Sequence, residues 1–179
     1  MRVTFILPCA DTAGGIRVLA THAQRLKDRG HDVSAISLPP PTPTLRGQPR
    51  LVYQPALYQK LIDLRPSPRN ALEFCLGSIA EMTEGDVYEA TDRYSRQGKL
   101  AYVHFRNVTG KVPHYRETFV DDGDIDMIRV LRILVRNNYT GVLIPDHTPQ
   151  MTCAAPWHAG MAYALGYMRA ALQTIGADS

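Results

Sequence analysis

The sequence predicts an α/β protein in which parallel strands alternate with helices. Short apolar runs rich in β-branched residues alternate with segments whose apolar residues recur at helical spacing, an order typical of βαβ units. Five such strands are recognisable, too few for a complete eight-stranded barrel. With 179 residues and 45% hydrophobic composition, the chain is long enough for one domain with a substantial core. We therefore expect a layered α/β unit, and at most a partial barrel.

Residues 1–38 have the pattern of a Rossmann-like βαβ unit. The apolar run over residues 3–8 predicts a strand, and Ala13-Gly14-Gly15 predicts a turn. Apolar residues then recur at helical spacing over residues 16–29, and residues 33–38 predict a second strand. Two strands joined by a helix pair in parallel through a crossover connection.

Residues 39–49 form a proline-rich joint. Their PPPTPT and RGQP segments can be neither a helix nor a central strand, because proline lacks the backbone N–H and its ring clashes with a preceding carbonyl. The joint separates the first segment from residues 50–179, and we expect the chain to pack as one globular unit.

The segment after the joint continues the alternation of strands and helices. Asp86 can cap one helix, and the acidic residues at 121–126 suit the positive end of another helix dipole. The segment over 106–122 shows no period and predicts a long irregular loop. The predicted elements are a helix over 56–64, a turn over 66–70, strands over 72–76, 100–105 and 142–145, and helices over 86–97, 125–135 and 158–175.

Charge and cysteine content argue against several classes of function. The net charge is +3 and the basic residues are scattered, so we expect no nucleic-acid or membrane partner. The three cysteines are widely spaced and include no CxxC pair, so we expect no disulfide framework. Free cysteines are typical of a reducing compartment such as the cytoplasm. The N-terminal apolar run is far below membrane-spanning length and predicts a strand rather than a cleaved signal peptide.

Three metal-competent side chains stand at the downstream ends of three predicted strands. They are Cys75 in LEFCLGS, His104 in AYVHFRN and Asp146 in GVLIPDH. Because parallel strands bring their carboxyl ends to one edge of a sheet, these side chains should meet there and can bind a divalent metal. The thiolate suits zinc, iron or cobalt better than manganese. Each residue alone also has a structural interpretation, as a core cysteine, a hydrogen-bonded core histidine and a helix-capping aspartate.

Neighbours of these residues complete the expected site. His147, next to Asp146, can act as an acid or a base near neutral pH. Arg106 and Asn107 follow His104 and are expected to hold a substrate carboxylate or hydroxyl groups.

From about residue 45 to residue 175, the chain resembles the C-terminal part of mannonate dehydratases. The segments that carry this resemblance include LEFCLGS, AYVHFRN, RETFVDDGDIDMIRVLR and GVLIPDHTPQM. The resemblance implies a partial TIM-like barrel of the xylose isomerase type and a divalent metal, usually manganese. It also implies dehydration of D-mannonate to 2-keto-3-deoxy-D-gluconate by a metal-dependent carbon–oxygen lyase. Cys75, His104 and Asp146 would be metal ligands, and His147 the neighbouring acid-base residue.

Two departures from the family pattern bear on activity. The family has a further ligand histidine upstream, where this chain has Ser37 or Leu38 in SLPPPTP. The family's catalytic tyrosine aligns with His158 in APWHAG, which makes His158 the second candidate catalytic residue. Tyr163 and Tyr167 are nearby, but their helical positions favour packing. The missing histidine predicts weak or absent turnover.

Residues 1–38 resemble a different family, the start of the N-terminal domain of GT-B glycosyltransferases. The first strand, the GG turn and the helix ending in RGHDV carry this resemblance. Two alternatives to a lyase therefore stay open: a sugar-binding fragment of glycosyltransferase type, and a non-catalytic α/β scaffold. Because a sheet that is not closed into a barrel leaves unpaired edges, we expect homo-oligomers.

Overall fold

The chain divides into two compact units, Met1–Tyr53 and Gln54–Ser179. A computed structural model describes residues 2–7, 14–37, 44–45, 48–49 and 52–177.

The first unit contains one βαβ motif. Its strands β1 (Arg2–Leu7) and β2 (Asp32–Ser37) pair in parallel along their whole length, and α1 (Gly14–Asp28) connects them. The predicted motif is confirmed, with one correction. Gly14 and Gly15 belong to the first turn of α1 rather than to a turn that precedes it.

The end of α1 is fixed by Gly30. This residue has a φ of +78°, which glycine adopts without a steric penalty. Gly30 N–H donates to the carbonyl of Lys27 at 2.9 Å, and His31 N–H donates to the carbonyl of Leu26 at 3.1 Å. This pair of hydrogen bonds is a Schellman motif, so the glycine that predicted the helix end acts through its backbone conformation.

A short antiparallel hairpin lies within the predicted joint. Its strands are β3 (Thr44–Leu45) and β4 (Gln48–Pro49). The remaining residues of the joint lie outside the described part of the chain, so its role as a boundary stays a prediction.

The second unit continues the alternation of strands and helices. In chain order it contains a 3-10 turn (Pro55–Leu57), α2 (Tyr58–Leu64), β5 (Leu72–Cys75), α3 (Leu76–Ala80), α4 (Val87–Arg96), β6 (Leu100–His104), β7 (Val108–Lys111), β8 (His114–Glu117), α5 (Met127–Arg136), β9 (Val142–Ile144) and α6 (Pro156–Ala177).

A three-stranded parallel sheet positions the candidate site. The strand order is β5-β6-β9, with β6 in the middle. Cys75 pairs with His104, and His104 pairs with Ile144. The three predicted strands of this unit are confirmed, and each ends one residue earlier than predicted.

The two faces of this sheet differ in burial. Phe74 of β5 and Val103 of β6 are fully buried, and the Phe74 ring lies 6.3 Å from the Tyr94 ring of α4. Because side chains alternate along a strand, Cys75 and His104 lie on the opposite face. The core therefore packs one face, and the other face carries the metal-competent residues.

Aspartates begin two of the helices that follow the strands. The Asp86 carboxylate accepts hydrogen bonds from the N–H groups of Tyr88 and Glu89 at 2.7 and 2.8 Å, so the predicted cap of α4 is confirmed. Asp126 accepts from Arg129 N–H at 2.9 Å and caps α5. Both carboxylates satisfy backbone donors that a helix leaves unpaired at its start.

The segment over 106–122 contains a hairpin, so the prediction of a wholly irregular loop is wrong. β7 and β8 pair antiparallel, from Val108 with Glu117 to Lys111 with His114. Each strand has only four residues of mixed polarity, too few to show an apolar alternation. The five-residue helix α3 escaped prediction for the same reason of length.

The longest described helix is α6, with 22 residues. Its buried residues recur every three or four positions and form one face of the helix. They are Gly160, Ala164, Met168, Ala171 and Ile175. Neither α6 nor any other helix in the described ranges is long and apolar enough to cross a membrane.

Candidate metal centre

Three strand ends bring Cys75, His104 and Asp146 together. Cys75 ends β5, His104 ends β6, and Asp146 follows β9 by two residues. One potential ligand atom from each side chain lies within 4.8 Å of the other two. His104 Nδ1 is 3.4 Å from Asp146 Oδ2. Among the residues that the structure describes, this is the one cluster of at least three His, Cys, Asp or Glu side chains with such spacing.

The contacts of Cys75 favour its thiolate form. Its Sγ accepts hydrogen bonds from Ser78 N–H at 3.4 Å and from Arg106 Nε at 3.2 Å. Burial raises the pKa of the Cys75 thiol, but the hydrogen bond with His104, the Arg106 charge and the Ser78 bonds outweigh burial and lower the pKa overall. The thiolate is the ligand form of cysteine.

The pKa of His104 is shifted upward, in the direction opposite to that of Cys75. Its hydrogen bond with Cys75 raises the pKa of the imidazole; burial opposes the rise, and the charges of Asp146, Cys75 and Glu73 reinforce it. The two side chains therefore favour a thiolate beside an imidazolium. A divalent cation between them would take the place of the imidazolium proton.

Arg106 is an internal residue that contacts two of the proposed ligand residues, and its expected role in substrate binding stays a prediction. Its side chain is 5% exposed. Nη1 donates to both Glu117 oxygens at 2.9 and 2.8 Å, and Nη2 donates to Glu81 at 2.7 Å. Nε lies 3.2 Å from Cys75 Sγ and 3.5 Å from Asp146 Oδ2. Each guanidinium nitrogen thus has a protein partner.

Gly77 allows α3 to approach this guanidinium. A Cβ atom at position 77 would lie 2.6 Å from Arg106 Cζ and 2.8 Å from Nε. These distances are shorter than van der Waals contact, so no residue with a side chain fits unless Arg106 moves. Close packing thus explains the glycine of the FCLGS segment.

Glu117 is a site residue that sequence reasoning missed. It ends β8, and its Oε1 lies 3.0 Å from His147 Nδ1. A neutral His147 that donates its Nδ1–H to Glu117 keeps the lone pair of Nε2 available for proton transfer. Nε2 lies 3.7 Å from Asp146 Oδ1, and the His147 side chain is 51% exposed. Recognition of the hairpin would have placed Glu117 at a strand end.

Asn107 has a structural role, and its expected role in substrate binding stays a prediction. The residue is 1% exposed. Its Nδ2 donates to the carbonyls of Val120 and Ile125 at 3.0 and 2.9 Å. Its Oδ1 accepts from Val108 N–H at 3.0 Å and Ile125 N–H at 3.1 Å. The carboxamide is fully used in tying the end of β6 to the loop before α5.

His158 is exposed in the first turn of α6. Within the described ranges, no hydrogen bond or ion pair joins it to the metal centre. Tyr163 donates its hydroxyl hydrogen bond to Asp121 Oδ2 at 2.6 Å, and its ring lies 5.2 Å from the Phe119 ring. The catalytic role of His158 stays a prediction, and the contacts of Tyr163 are those of a packing residue.

The family's further ligand histidine corresponds to Ser37 or Leu38 of this chain. Ser37 is the last residue of β2, and Leu38 lies outside the described residues. The described donors all belong to the second unit.

A thiolate, an imidazole and a carboxylate fit a divalent transition metal. Three protein donors leave coordination positions for substrate, as in catalytic rather than structural metal sites. The partial exposure of His104 and Asp146, at 20% and 23% of their side chains, keeps the centre accessible.

Comparisons with known proteins find relatives for most of the chain. A family model described as D-mannonate dehydratase (UxuA) matches residues 35–175. A mannonate dehydratase from Streptococcus equi subsp. zooepidemicus is 33% identical over 103 residues, which cover 56% of this chain and 28% of that protein. A mannonate dehydratase from Oceanobacillus iheyensis is 32% identical over 124 residues, which cover 65% of this chain and 34% of that protein. The chain thus spans about a third or less of the length of these relatives.

Solved structures share the fold. A mannonate dehydratase from Streptococcus suis serotype 2 superposes with a TM-score of 0.65 at 23% identity, covering 93% of this chain and 51% of that one. A xylose isomerase domain protein from Planctomyces limnophilus gives a TM-score of 0.58 at 14% identity, covering 98% and 61%. These likenesses confirm the predicted fold class, a partial barrel of the xylose isomerase type.

Proposed function

The chain belongs to the D-mannonate dehydratase (UxuA) family, and on this basis we propose that it is a metal-dependent hydro-lyase acting on D-mannonate. The reaction breaks the C2–H and C3–O bonds of the sugar acid and yields 2-keto-3-deoxy-D-gluconate and water. The observation that carries the proposal is the cluster of Cys75, His104 and Asp146 within 4.8 Å at three strand ends. A divalent metal held there supplies Lewis acidity toward the substrate carboxylate and hydroxyl groups.

His147 is the proposed proton carrier. Its ring is oriented by the 3.0 Å contact between Nδ1 and Glu117, so Nε2 takes the C2 proton or gives a proton to the departing C3 hydroxyl. The Glu117 carboxylate stabilises the imidazolium that forms, the role of the aspartate in a Ser-His-Asp triad. We keep His158 as a weaker candidate, because its motif position alone supports it.

We assign manganese as the metal, because it is the usual metal of the family that the chain resembles. The Cys75 thiolate is a softer ligand than manganese prefers, so zinc, iron and cobalt are competitors. With Ser37 or Leu38 in place of the upstream histidine, one protein ligand is missing. We therefore expect weak turnover.

The test is the metal content of the purified protein, measured by elemental analysis, together with 2-keto acid formation from D-mannonate with added manganese. We expect about one metal ion per chain, as for a single catalytic site. Cys75→Ser and Asp146→Asn should remove the metal, because each deletes one of three donors. Cys153→Ser is the matched control, since Cys153 is an exposed free cysteine outside the cluster.

The outcomes separate the two parts of the proposal. Equal metal content in all four proteins, or none in the wild type, would contradict the metal centre and favour the non-catalytic scaffold. Metal that is lost in Cys75→Ser, without any turnover in the wild type, would support the centre and reject the lyase activity. The resemblance of residues 1–38 to GT-B glycosyltransferases stays a prediction, and we draw no second function from it.

We further propose that copies of the chain associate with one another in the cytoplasm, without a nucleic-acid partner. Within the described residues, β9 pairs with a strand on one edge only, and Leu165 and Leu172 of α6 are 48% and 41% exposed. An open strand edge beside apolar side chains favours self-association. Cys75 and Cys153 are both free thiols, which suits a reducing compartment.

A further inference from the structure

Glu81 is a buried carboxylate that has no role in the function described so far. It directly follows α3 and is 0% exposed. Its Oε1 accepts a hydrogen bond from Arg106 Nη2 at 2.7 Å, and its Oε2 has no hydrogen-bond partner among the described residues. Because burial of two charges offsets much of their attraction, a buried ion pair is weak evidence for added stability. The pair therefore points to a role in positioning Arg106.

The helix α3 carries Cys75 and Glu81 at its two ends. Cys75 caps its start, where Sγ accepts from Ser78 N–H at 3.4 Å. At its other end, Glu81 N–H donates to the carbonyl of Gly77 at 2.9 Å. The Arg106 side chain lies close to Gly77, with Nε 3.2 Å from Cys75 Sγ and Nη2 2.7 Å from Glu81. The guanidinium thus connects the metal-competent thiol with the buried carboxylate.

A second carboxylate holds the remaining nitrogen of this guanidinium. Nη1 donates to both Glu117 oxygens at 2.9 and 2.8 Å. The two carboxylates bind the two Nη atoms, and Nε faces Cys75. If Glu81 were absent, Nη2 would be free to turn toward Cys75 or Asp146, because a guanidinium donates readily to anionic groups. It would then compete with a metal ion for these donors.

The backbone of Glu81 supports the same arrangement. Its carbonyl accepts from Val112 N–H at 3.0 Å, and Val112 lies between β7 and β8. The hairpin that carries Glu117 is therefore attached to the end of α3. Side chain and backbone of Glu81 together fix the guanidinium relative to both elements.

We propose that Glu81 is a positioning residue that acts through Arg106. By fixing the guanidinium, it keeps Cys75 and Asp146 free to bind a divalent metal. This inference rests on the proposed metal centre and deepens it. Residues that support metal ligands without touching the ion typically change metal affinity about 10-fold to 100-fold when they are replaced.

The experiment combines two measurements on the full chain: NMR spectroscopy of the arginine side chains without metal, and titration with Co²⁺. The Arg106 signals are identified by their loss in Arg106→Lys. In the wild type they should show hindered rotation of the guanidinium, because all three nitrogens donate hydrogen bonds. Glu81→Ala should free this rotation and weaken Co²⁺ binding about 10-fold to 100-fold.

A conservative variant and a control accompany this change. Glu81→Gln should weaken Co²⁺ binding by a smaller factor, because its neutral amide oxygen still accepts a hydrogen bond but a weaker one. Glu84→Gln is the matched control, because it makes the same chemical change at an exposed position three residues further along the chain. Far-ultraviolet circular dichroism verifies the fold, and if Glu81→Ala does not fold, Glu81→Gln decides.

Two results would overturn the inference while leaving the metal centre intact. In the first, the Arg106 signals of the Glu81 variants equal those of the wild type. In the second, the Glu81 variants bind Co²⁺ as tightly as Glu84→Gln. A wild-type protein that binds no Co²⁺ would reject the proposed centre itself, and with it this role of Glu81.

Discussion

At the scale of single residues, Arg106 shows how a strand-end residue can serve the site from inside. The sequence HFRN suggests a side chain at the rim, but the guanidinium lies in the interior, 5% exposed, and contacts Glu81 and Glu117. Removing one partner from such a buried group costs about 3–5 kcal/mol, because an uncompensated charge remains. Arg106 therefore fixes the positions of Cys75 and Asp146.

The convergence of Cys75, His104 and Asp146 could be predicted from the sequence, but the contacts that support these side chains could not. Cys75, His104 and Asp146 stand at equivalent strand ends, and this regular placement can be recognised in the sequence. Asn107 lies just after β6, the strand that ends at His104. Its side chain nevertheless turns inward, because its carboxamide donates to the backbone of the loop before α5. Which way a side chain turns after a strand ends depends on tertiary contacts that carry no sequence period.

Gly77→Ala is the substitution that tests the packing around Arg106. The new methyl group would lie 2.6 Å from Arg106 Cζ, and the ion pairs hold the guanidinium in place. Overpacking of this kind costs about 1–3 kcal/mol, so we expect this loss in the free energy of unfolding, measured with denaturant. We also expect weaker metal binding, because Arg106 must move away from Cys75.

Gly166→Ala is the control for Gly77→Ala. Gly166 lies within α6, and a Cβ there would meet nothing within 4 Å. Alanine should be neutral or stabilising by about 0.4–1 kcal/mol at this position. Equal stabilities of the two variants would contradict the packing argument.

At the scale of elements, the parallel strands were predictable and the hairpin was not. β5 alternates buried and exposed residues around Phe74, and its apolar residues are recognisable without a structure. β7 and β8 depend on pairing with each other, since neither has an apolar face of its own. The missed hairpin is also why Glu117 was missed, because its place in the site follows from the end of β8.

The exposed face of α6 provides a prediction about association. Changing both Leu165 and Leu172 to Glu should lower the association of copies, because charges replace apolar side chains on this face. Light scattering over a range of concentrations would measure the change. Arg132→Glu is the control, because it lowers the net charge by as much as the two leucine substitutions together, at an exposed position of α5. A wild-type monomer, or an equal effect of both variants, would refute self-association through α6.

At the scale of the whole molecule, the proposed metal centre joins distant parts of the sequence. Its donors come from the ends of β5 and β6 and from just after β9, which are neighbours in one sheet. A ligand that binds the folded state alone stabilises it by about 2.7 kcal/mol at a concentration of 100 times its Kd. The binding of one ion should therefore stabilise the sheet of the second unit.

This stabilisation is measurable by hydrogen exchange. Addition of manganese should slow amide exchange in β5 and β6, and a chelator should restore the original rate. Cys75→Ser should show no such response, because it lacks one donor. Slowed exchange in Cys75→Ser would mean that the metal acts at another place.

The pairing of Cys75 with His104 also links the proposed metal site to the correct alignment of β5 with β6. A shift of β5 by one residue against β6 would turn Cys75 to the opposite face of the sheet, since side chains alternate along a strand. The three donors then could not converge on one ion. At the proposed centre, only a sheet in its native alignment could retain the ion and gain its binding energy, so metal binding would select the native pairing of β5 with β6.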